Sequence, residues 1–134
     1  MVVIAVIAVL AIIAIPRIMP SKRGAKEAAL IADLNRLRGA ISLFHAQTGV
    51  YPAQLSDLVA IVPPANGVDE AGNSISIPAG SYKGPYLVTP DGSIVRDPIT
   101  GAADWNYVTA VPNVGTVHSS APGTALDGTP YSSF

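Results

Sequence analysis

The residue types that most often perform catalysis or bind metals are scarce here and form no recognisable constellation. The two histidines, His45 and His118, are far apart in the sequence and lack partners at metal-ligand spacing. The chain has no cysteine, which excludes disulfides, thiolate metal sites and cysteine nucleophiles. Neither a G-x-S-x-G nucleophile elbow nor a phosphate-binding glycine loop occurs. We therefore expect no enzyme activity, no catalytic residue and no cofactor.

Charge is distributed unevenly along the chain. Residues 1–38 carry six cations and two anions, whereas residues 39–134 carry two cations and seven anions. Such a basic segment joined to an acidic remainder can attract a neighbouring copy or anionic lipid headgroups. A nucleic-acid-binding domain places its cations on a folded face with aromatic residues between them, so we expect no nucleic-acid partner.

The segment Met1–Ile15 contains no polar side chain. As a helix it would be about 22 Å long, shorter than the roughly 30 Å hydrocarbon layer of a membrane. It lacks the preceding cations of a secretory signal peptide, and it lacks the solvent face of an ordinary helix. We expect it to insert in a membrane or a filament core. We also expect the natural segment to begin before Met1, with the charges that set its orientation.

Small residues recur within this apolar segment. Ala5, Ala8, Ala11 and Ala14 follow one another every three residues, and small side chains let helices approach closely in lipid. Because a helix turns every 3.6 residues, this ridge spirals and favours packing against several neighbours. The residues expected to pack in the core of the membrane or filament are Val2, Ile4, Ala5, Ile7, Ala8, Leu10, Ala11, Ile13 and Ala14.

Helix-breaking residues follow the apolar segment. Pro16 and Pro20 each remove a backbone donor and disfavour helical geometry in the preceding residue. These prolines predict a kink, or a non-helical stretch between Ala8 and Gly24 centred near Pro16. Gly24 is a further predicted break.

Helical periodicity then resumes over Ala25–Gln47, where apolar residues are spaced alternately by four and three positions. This stripe predicts a helix that packs one face on a sheet. Its members are Leu30, Leu34, Leu37, Ile41 and Phe44. Gly49 and Pro52 predict the end of the helix.

The remainder reads as turns and short strands. A short helix is predicted at about 53–60, and Pro63-Pro64 with Asn66-Gly67 predicts a loop. Pro90-Asp91-Gly92 predicts a turn that joins two strands as a hairpin. The predicted strands are Ser74–Ile77, Tyr86–Thr89, Ser93–Arg96, Trp105–Ala110 and Val114–His118. The expected fold is α+β, with an apolar stem (1–24) and a head (25–134) in which a long helix packs on a small antiparallel sheet.

The stem and the first helix resemble the type IV pilin and type II secretion pseudopilin superfamily. The resemblance is carried by an apolar stem that ends in Ala-Ile-Pro-Arg, the helix after it, and Thr48-Gly49-Val50-Tyr51-Pro52. Gly84-Pro85-Tyr86-Leu87, Asp97-Pro98 and Trp105-Asn106-Tyr107 resemble the major-pseudopilin branch more loosely.

This resemblance implies a pilin-like fold and a helical homopolymer. It also implies processing by a prepilin peptidase, residence in the inner membrane before assembly, and extraction by a pilus or secretion machinery. Pro16 would be the kink proline of the stem. The family's N-methylated phenylalanine and nearby glutamate are missing here, and we expect the gene to encode both upstream of Met1.

The resemblance also suggests a calcium site, because secretion pseudopilins often bind calcium in a C-terminal loop. The candidate ligands are Asp91, Asp97, Asp104 and Asp127. They do not form a close, glycine-laced acidic cluster, and turn formation explains them equally well.

Three functions follow, of which a pilus subunit exposed on the cell surface is preferred. The Ser/Thr-rich C-terminus and the lack of a calcium cluster favour it over a periplasmic pseudopilin of a type II secretion system. The alternative from another class is a membrane-anchored monomeric binding module of the periplasm. Filament formation needs the spiralling small residues of the stem, whereas a lone anchor needs only apolarity.

Overall fold

A computed structural model describes residues 21–134 of the chain. These residues form an α+β structure in which one long helix packs on small antiparallel sheets. The residues expected in the membrane or filament core, and the breaks at Pro16 and Pro20, lie outside the described residues. The elements in chain order are helix α1 (Ser21–Thr48), β1 (Tyr51–Pro52), a 3₁₀ helix (Leu55–Leu58), β2 (Asn66–Val68), β3 (Ser74–Ser76), β4 (Asn106–Val108), β5 (Thr116–His118) and a second 3₁₀ helix (Tyr131–Ser133).

Helix α1 ends through capping by its own last residues. The Thr48 hydroxyl donates to the Phe44 carbonyl oxygen at 2.8 Å, and the Gly49 amide donates to the His45 carbonyl at 2.8 Å. Gly49 has a φ of 78°, which glycine adopts without a side-chain clash. The helix stops here because the cap satisfies its last carbonyls and Pro52 follows.

Helix α1 packs against two antiparallel sheets. Strands β1, β2 and β3 form one sheet in that order, and β4 pairs with β5 in the other. Helix α1 contacts β1 and β5, one strand from each sheet. The Tyr107 hydroxyl on β4 donates to the Pro52 carbonyl on β1 at 2.7 Å, and burial raises the pKa of that phenol. This bond ties the two sheets together.

The apolar stripe of α1 forms the centre of the core. All five of its predicted members are buried. They pack with Leu58 of the first 3₁₀ helix, Val117 of β5 and the aromatic residues Tyr82 and Trp105. The Phe44 ring meets the ring edges of Tyr82 and Tyr86 at centroid distances of 5.9 and 5.5 Å. The helical spacing of these residues in the sequence thus correctly predicted which face of α1 packs on the sheets.

The break predicted at Gly24 is wrong, because α1 runs through this residue from Ser21. Glycine costs a helix only about 1 kcal/mol relative to alanine. Tertiary contacts offset that cost on either side of Gly24. The Arg23 guanidinium donates to the Thr124 carbonyl at 2.6 Å, and the Glu27 carboxylate accepts from the Leu126 amide at 3.0 Å. The predicted boundary between stem and head therefore falls inside α1.

The strands predicted at Tyr86–Thr89 and Ser93–Arg96 are also wrong, and so is the hairpin between them. Their backbone groups bond to the first 3₁₀ helix and to side chains instead of to each other. The amides of Tyr86 and Leu87 both donate to the Leu58 carbonyl, at 2.8 and 3.0 Å. The Trp105 indole N–H donates to the Val95 carbonyl at 2.7 Å. The turn itself is present, since the Gly92 amide donates to the Thr89 carbonyl at 3.2 Å.

Strand β2 lies where a loop was expected. Gly67 at its centre faces the residues just after α1, and a Cβ atom there would clash with the Val50 side chain and the Tyr51 carbonyl. Glycine is therefore required for β2 to approach β1. The remaining predicted strands correspond to the shorter β3, β4 and β5, and the helix expected at 53–60 is the 3₁₀ helix Leu55–Leu58.

Candidate functional site

The side of α1 opposite the core is the principal candidate site, and we call it the outer face. Its residues are spaced by three and four positions, so they share one side of the helix, and all are exposed. None of them is charged. The outer face consists of Ala25, Ala28, Ala32, Asn35, Gly39, Leu43 and Ala46.

The outer face combines small size with apolarity. A Cβ atom added to Gly39 would meet nothing within 4 Å, so this part of the helix backbone is open to approach. Leu43 leaves 47% of its surface exposed, and Ile31 at the edge of the face leaves 44% exposed. Small residues allow close helix packing, and large exposed apolar side chains gain from being covered. The geometry suits contact with another helix or a similar apolar surface.

Sequence reasoning missed this face. It identified the stripe of Leu30 and its partners and assigned no role to the opposite side of the helix. The available signal was the spacing of Ala25, Ala28 and Ala32, continued at Gly39 and Ala46. That pattern predicts an uncharged second side of the helix, which an isolated head would not need.

The beginning of α1 is held by the C-terminal segment of the chain. Glu27 accepts from the Tyr131 hydroxyl at 3.0 Å and lies 3.4 Å from the Arg23 guanidinium. With the Leu126 amide, this carboxylate binds one side chain from the preceding helical turn and two groups of the C-terminal segment. These bonds join the C-terminal segment to the first turns of α1.

The two histidines take separate structural roles. The His45 ring, in the last turn of α1, stacks on the Tyr51 ring of β1 at a centroid distance of 4.2 Å. The His118 Nδ1 atom on β5 lies 2.9 Å from the Phe134 carbonyl oxygen. They do not combine with each other or with a serine in a catalytic arrangement.

The four candidate calcium ligands do not converge. Asp91 and Asp127 each accept a backbone amide within their own turns, from Ser93 at 3.1 Å and Thr129 at 2.9 Å. Asp104 accepts from the Thr100 hydroxyl at 2.7 Å. Over residues 21–134, no group of three or more histidine or acidic side chains is placed to hold a metal ion.

Asp97 is the most enclosed of these carboxylates and is fully buried. It accepts from the Ser119 hydroxyl at 2.5 Å and from the amides of Ile99 and Thr100 at 2.7 and 3.4 Å. Ser119 in turn accepts from the Ala121 amide at 3.1 Å. These bonds join the loop after Val95 to the segment after β5, so Asp97 is a structural residue.

Two shallow clefts flank α1. One, of about 340 Å³, lies between Arg38 on the helix and His118 on β5, with the Tyr51 ring as a wall. The other, of about 370 Å³, lies between Asp33 and the turn that contains Asp91. Both are open to solvent, and neither gathers the convergent polar groups of a binding or catalytic site.

The carboxyl group of Asp33 has a pKa above its ordinary value. Burial is the main cause, and the nearby charge of Asp97 adds to it, while Arg36 at 3.8 Å acts in the opposite direction. The ionised form is thus favoured less in the folded than in the unfolded chain. The protonated form therefore stabilises the fold at low pH. This stability is lost as pH rises from the ordinary carboxyl pKa through the raised pKa of Asp33 in the folded chain.

We expect Asp33→Asn to raise the urea midpoint of unfolding at pH 7, with the difference vanishing near pH 3. Asp91→Asn is the matched control, and we expect it to lower the urea midpoint at pH 7. Hydrogen bonds from Ser93 lower the pKa of Asp91, so its ionised form stabilises the fold above the ordinary carboxyl range. A lower midpoint for Asp33→Asn at pH 7 would contradict the expected sign.

Within residues 21–134, no helix is both long enough and apolar enough to cross a membrane. No protein-family model matches this chain, and no curated protein or solved structure is significantly similar to it.

Proposed function

We propose that this chain is a structural subunit of a type IV pilus-like filament on the cell surface. Its apolar segment Met1–Ile15 anchors the unassembled subunit in the inner membrane and then forms the filament core with copies of itself. An assembly machinery extracts the subunit, and the head coats the filament. The protein performs no catalysis in this role.

The observation that carries the proposal is the two-sided character of α1. One side is buried in the head, and the outer face is uncharged, small and exposed. The helix begins only a few residues after the apolar segment, so the outer face and that segment are close along the chain. A monomeric binding module gains nothing from an uncharged outer face, whereas a subunit packed among copies covers it.

The position of the head supports the same function. The C-terminal segment binds the start of α1 through Arg23 and Glu27, so the head reaches back to the end of α1 nearest the apolar segment. A core of buried aromatic and aliphatic residues holds the sheets to the helix. In a filament, this arrangement would place the head immediately outside the bundled stems.

A substitution at Gly39 tests whether the outer face takes part in assembly. Both Gly39→Glu and Gly39→Ala add a side chain where there is open space, and each should stabilise α1 by about 0.5–1 kcal/mol. We expect Gly39→Glu to lower the yield of filaments sheared from cells, because it places a charge in an apolar contact. Gly39→Ala should retain them.

Electron microscopy of the sheared material, with thermal unfolding of each variant, measures both effects. Filaments at the unaltered yield from Gly39→Glu would show that the outer face is not an assembly surface. Cells that display no filament of the unaltered protein would favour the anchored monomeric module. Filaments confined to the periplasm would indicate a pseudopilus.

A further inference from the structure

Two lysines extend from the first turns of α1. Lys22 and Lys26 are both exposed, and because they lie four positions apart they share one side of the helix. Among residues 21–134 neither ammonium group takes part in an ion pair, whereas the neighbouring Arg23 is paired with Glu27 at 3.4 Å. The two lysine charges are therefore available to a partner outside the described part of the chain.

An exposed aliphatic side chain lies at the same end of the helix. The Leu126 amide donates to the Glu27 carboxylate at 3.0 Å, and a Cβ atom on Gly24 would lie 3.9 Å from the Leu126 side chain. Leu126 nevertheless leaves 58% of its surface exposed. Gly24 lies two positions from each lysine, so Leu126 and the lysines are on different sides of the first turns. We call Lys22, Lys26 and Leu126 the basal patch.

The turn that carries Leu126 is fixed in the fold. The Gly128 amide donates to the Ala125 carbonyl at 3.0 Å, and the Ala125 amide donates to the Thr129 carbonyl at 2.7 Å. Ala125 itself is buried in the core, so the turn is anchored beneath its exposed tip. Cations beside an exposed aliphatic side chain are typical of surfaces that lie in a membrane interface. The basal patch combines these two features on a turn and a helix that the core supports.

The chain that precedes the basal patch carries the apolar segment. Residues 1–20 lie outside the described structure and end directly before α1, and Met1–Ile15 contains no polar side chain. Lys22 follows Ile15 by seven positions, which span at most about 25 Å even in a fully extended chain. In the membrane-anchored subunit that the proposed function requires, the chain therefore holds the basal patch close to the membrane surface.

We propose that the basal patch binds the anionic phospholipid headgroups of the membrane that holds residues 1–15. The inference rests on the proposed function and specifies which lipids hold the head before assembly. The lysine ammonium groups attract headgroup phosphates, and Leu126 enters the boundary between headgroups and acyl chains. Each lysine near an anionic surface raises the affinity about five-fold, so two lysines hold the head reversibly. Reversible binding suits a subunit that must later leave the membrane.

Anionic lipid fits the basal patch better than the acidic head of a second copy. Six of the seven acidic side chains in residues 39–134 accept hydrogen bonds from their own loops, and Glu70 is the exception within the described structure. A headgroup layer instead presents many phosphates in one plane, beside an apolar boundary that accommodates Leu126. The charge of Asp127, the residue after Leu126, opposes the attraction, so the contact depends on both lysines.

A fluorescent probe at position 126 tests the contact, because the chain has no cysteine of its own. The full-length Leu126→Cys protein, labelled with an environment-sensitive dye, is reconstituted in vesicles of phosphatidylcholine, with or without phosphatidylglycerol. A lipid with a nitroxide at the headgroup boundary quenches a dye that reaches this depth. At low salt we expect quenching at least about five-fold stronger with phosphatidylglycerol than without it. The difference should shrink as salt is added, because salt screens exposed charges.

Neutralising the lysines tests their part in the contact. Lys22→Gln combined with Lys26→Gln should lower the quenching in mixed vesicles to its level in phosphatidylcholine alone. Lys83→Gln is the matched control and should leave the quenching unaltered. Lys83 is also exposed, but its amide donates to the Tyr86 hydroxyl, which binds Gln47 at the other end of α1. Thermal unfolding establishes that each variant folds.

The same dye on Val111→Cys is the matched probe. Val111 leaves 60% of its surface exposed, close to the value for Leu126. Its neighbour Pro112 lines a cleft with Tyr51, which follows the end of α1, so this probe lies far from the basal patch. We expect little quenching of the Val111→Cys probe in either type of vesicle.

Three outcomes would overturn the contact. Equal quenching at position 126 in both types of vesicle overturns it while the filament function stands. A blue-shifted emission that depends on the protein-to-lipid ratio, and not on phosphatidylglycerol, overturns it in favour of a second copy. Protein that floats with neither type of vesicle overturns the membrane anchor of the proposed function, together with the contact that rests on it.

Discussion

Replacing Ala8 with aspartate is expected to abolish filament assembly while the head remains folded. Ala8 belongs to the ridge of small residues in the apolar segment, which lies outside the described residues. An unpaired carboxylate in an apolar environment costs several kcal/mol, and each subunit of a filament would incur that cost. The buried core of the head is formed by residues from Leu30 onward, so its fold should be unaffected. Electron microscopy of sheared filaments and circular dichroism of the solubilised subunit measure the two effects.

Ala79→Asp is the matched control for this substitution. Ala79 is an exposed alanine of the head, and an aspartate there meets water. We expect filaments at the unaltered yield from Ala79→Asp.

Removal of residues 1–20, in contrast, should give a soluble, monomeric head that assembles no filament. Filaments from either Ala8→Asp or the truncated chain would refute the role of the apolar segment in polymerisation.

Replacing Asp97 with alanine is expected to destabilise the head by about 3 kcal/mol. The substitution removes three hydrogen bonds to a fully buried carboxylate and leaves the Ser119 hydroxyl and two amides without their acceptor. That loss is a large part of the 5–15 kcal/mol that stabilises a typical domain. Trp105 is the single tryptophan and its indole is bonded to Val95 near this loop. Its fluorescence during urea unfolding of the detergent-solubilised protein therefore reports the effect.

Asp104→Ala is the control from the same loop. Its carboxylate accepts from Thr100 at the surface, where water replaces the lost acceptor. We expect a much smaller change in the urea midpoint than for Asp97→Ala. Equal midpoints for the two variants would indicate that the bonds between Asp97 and Ser119 contribute little to stability.

The features that the sequence determined by itself are those encoded within a few residues. The spacing of Leu30, Leu34 and Leu37 sets which side of α1 is buried, because a helix brings residues three and four apart onto one face. Thr48 and Gly49 set its end, because the cap is formed by neighbouring residues. The apolar composition of Met1–Ile15 likewise predicts, without reference to the rest of the chain, a segment that is covered from water.

Tertiary structure decided the features that depend on residues distant in the chain. Helix α1 continues through Gly24 because Arg23 and Glu27 bond to the C-terminal segment, which local propensity cannot reveal. Tyr86–Arg96 contains no strand because its backbone groups bond to Leu58 and Trp105, although its residue types favour strands. Asp97, assigned from sequence as a candidate calcium ligand, is a structural acceptor only because folding brings Ser119 to it.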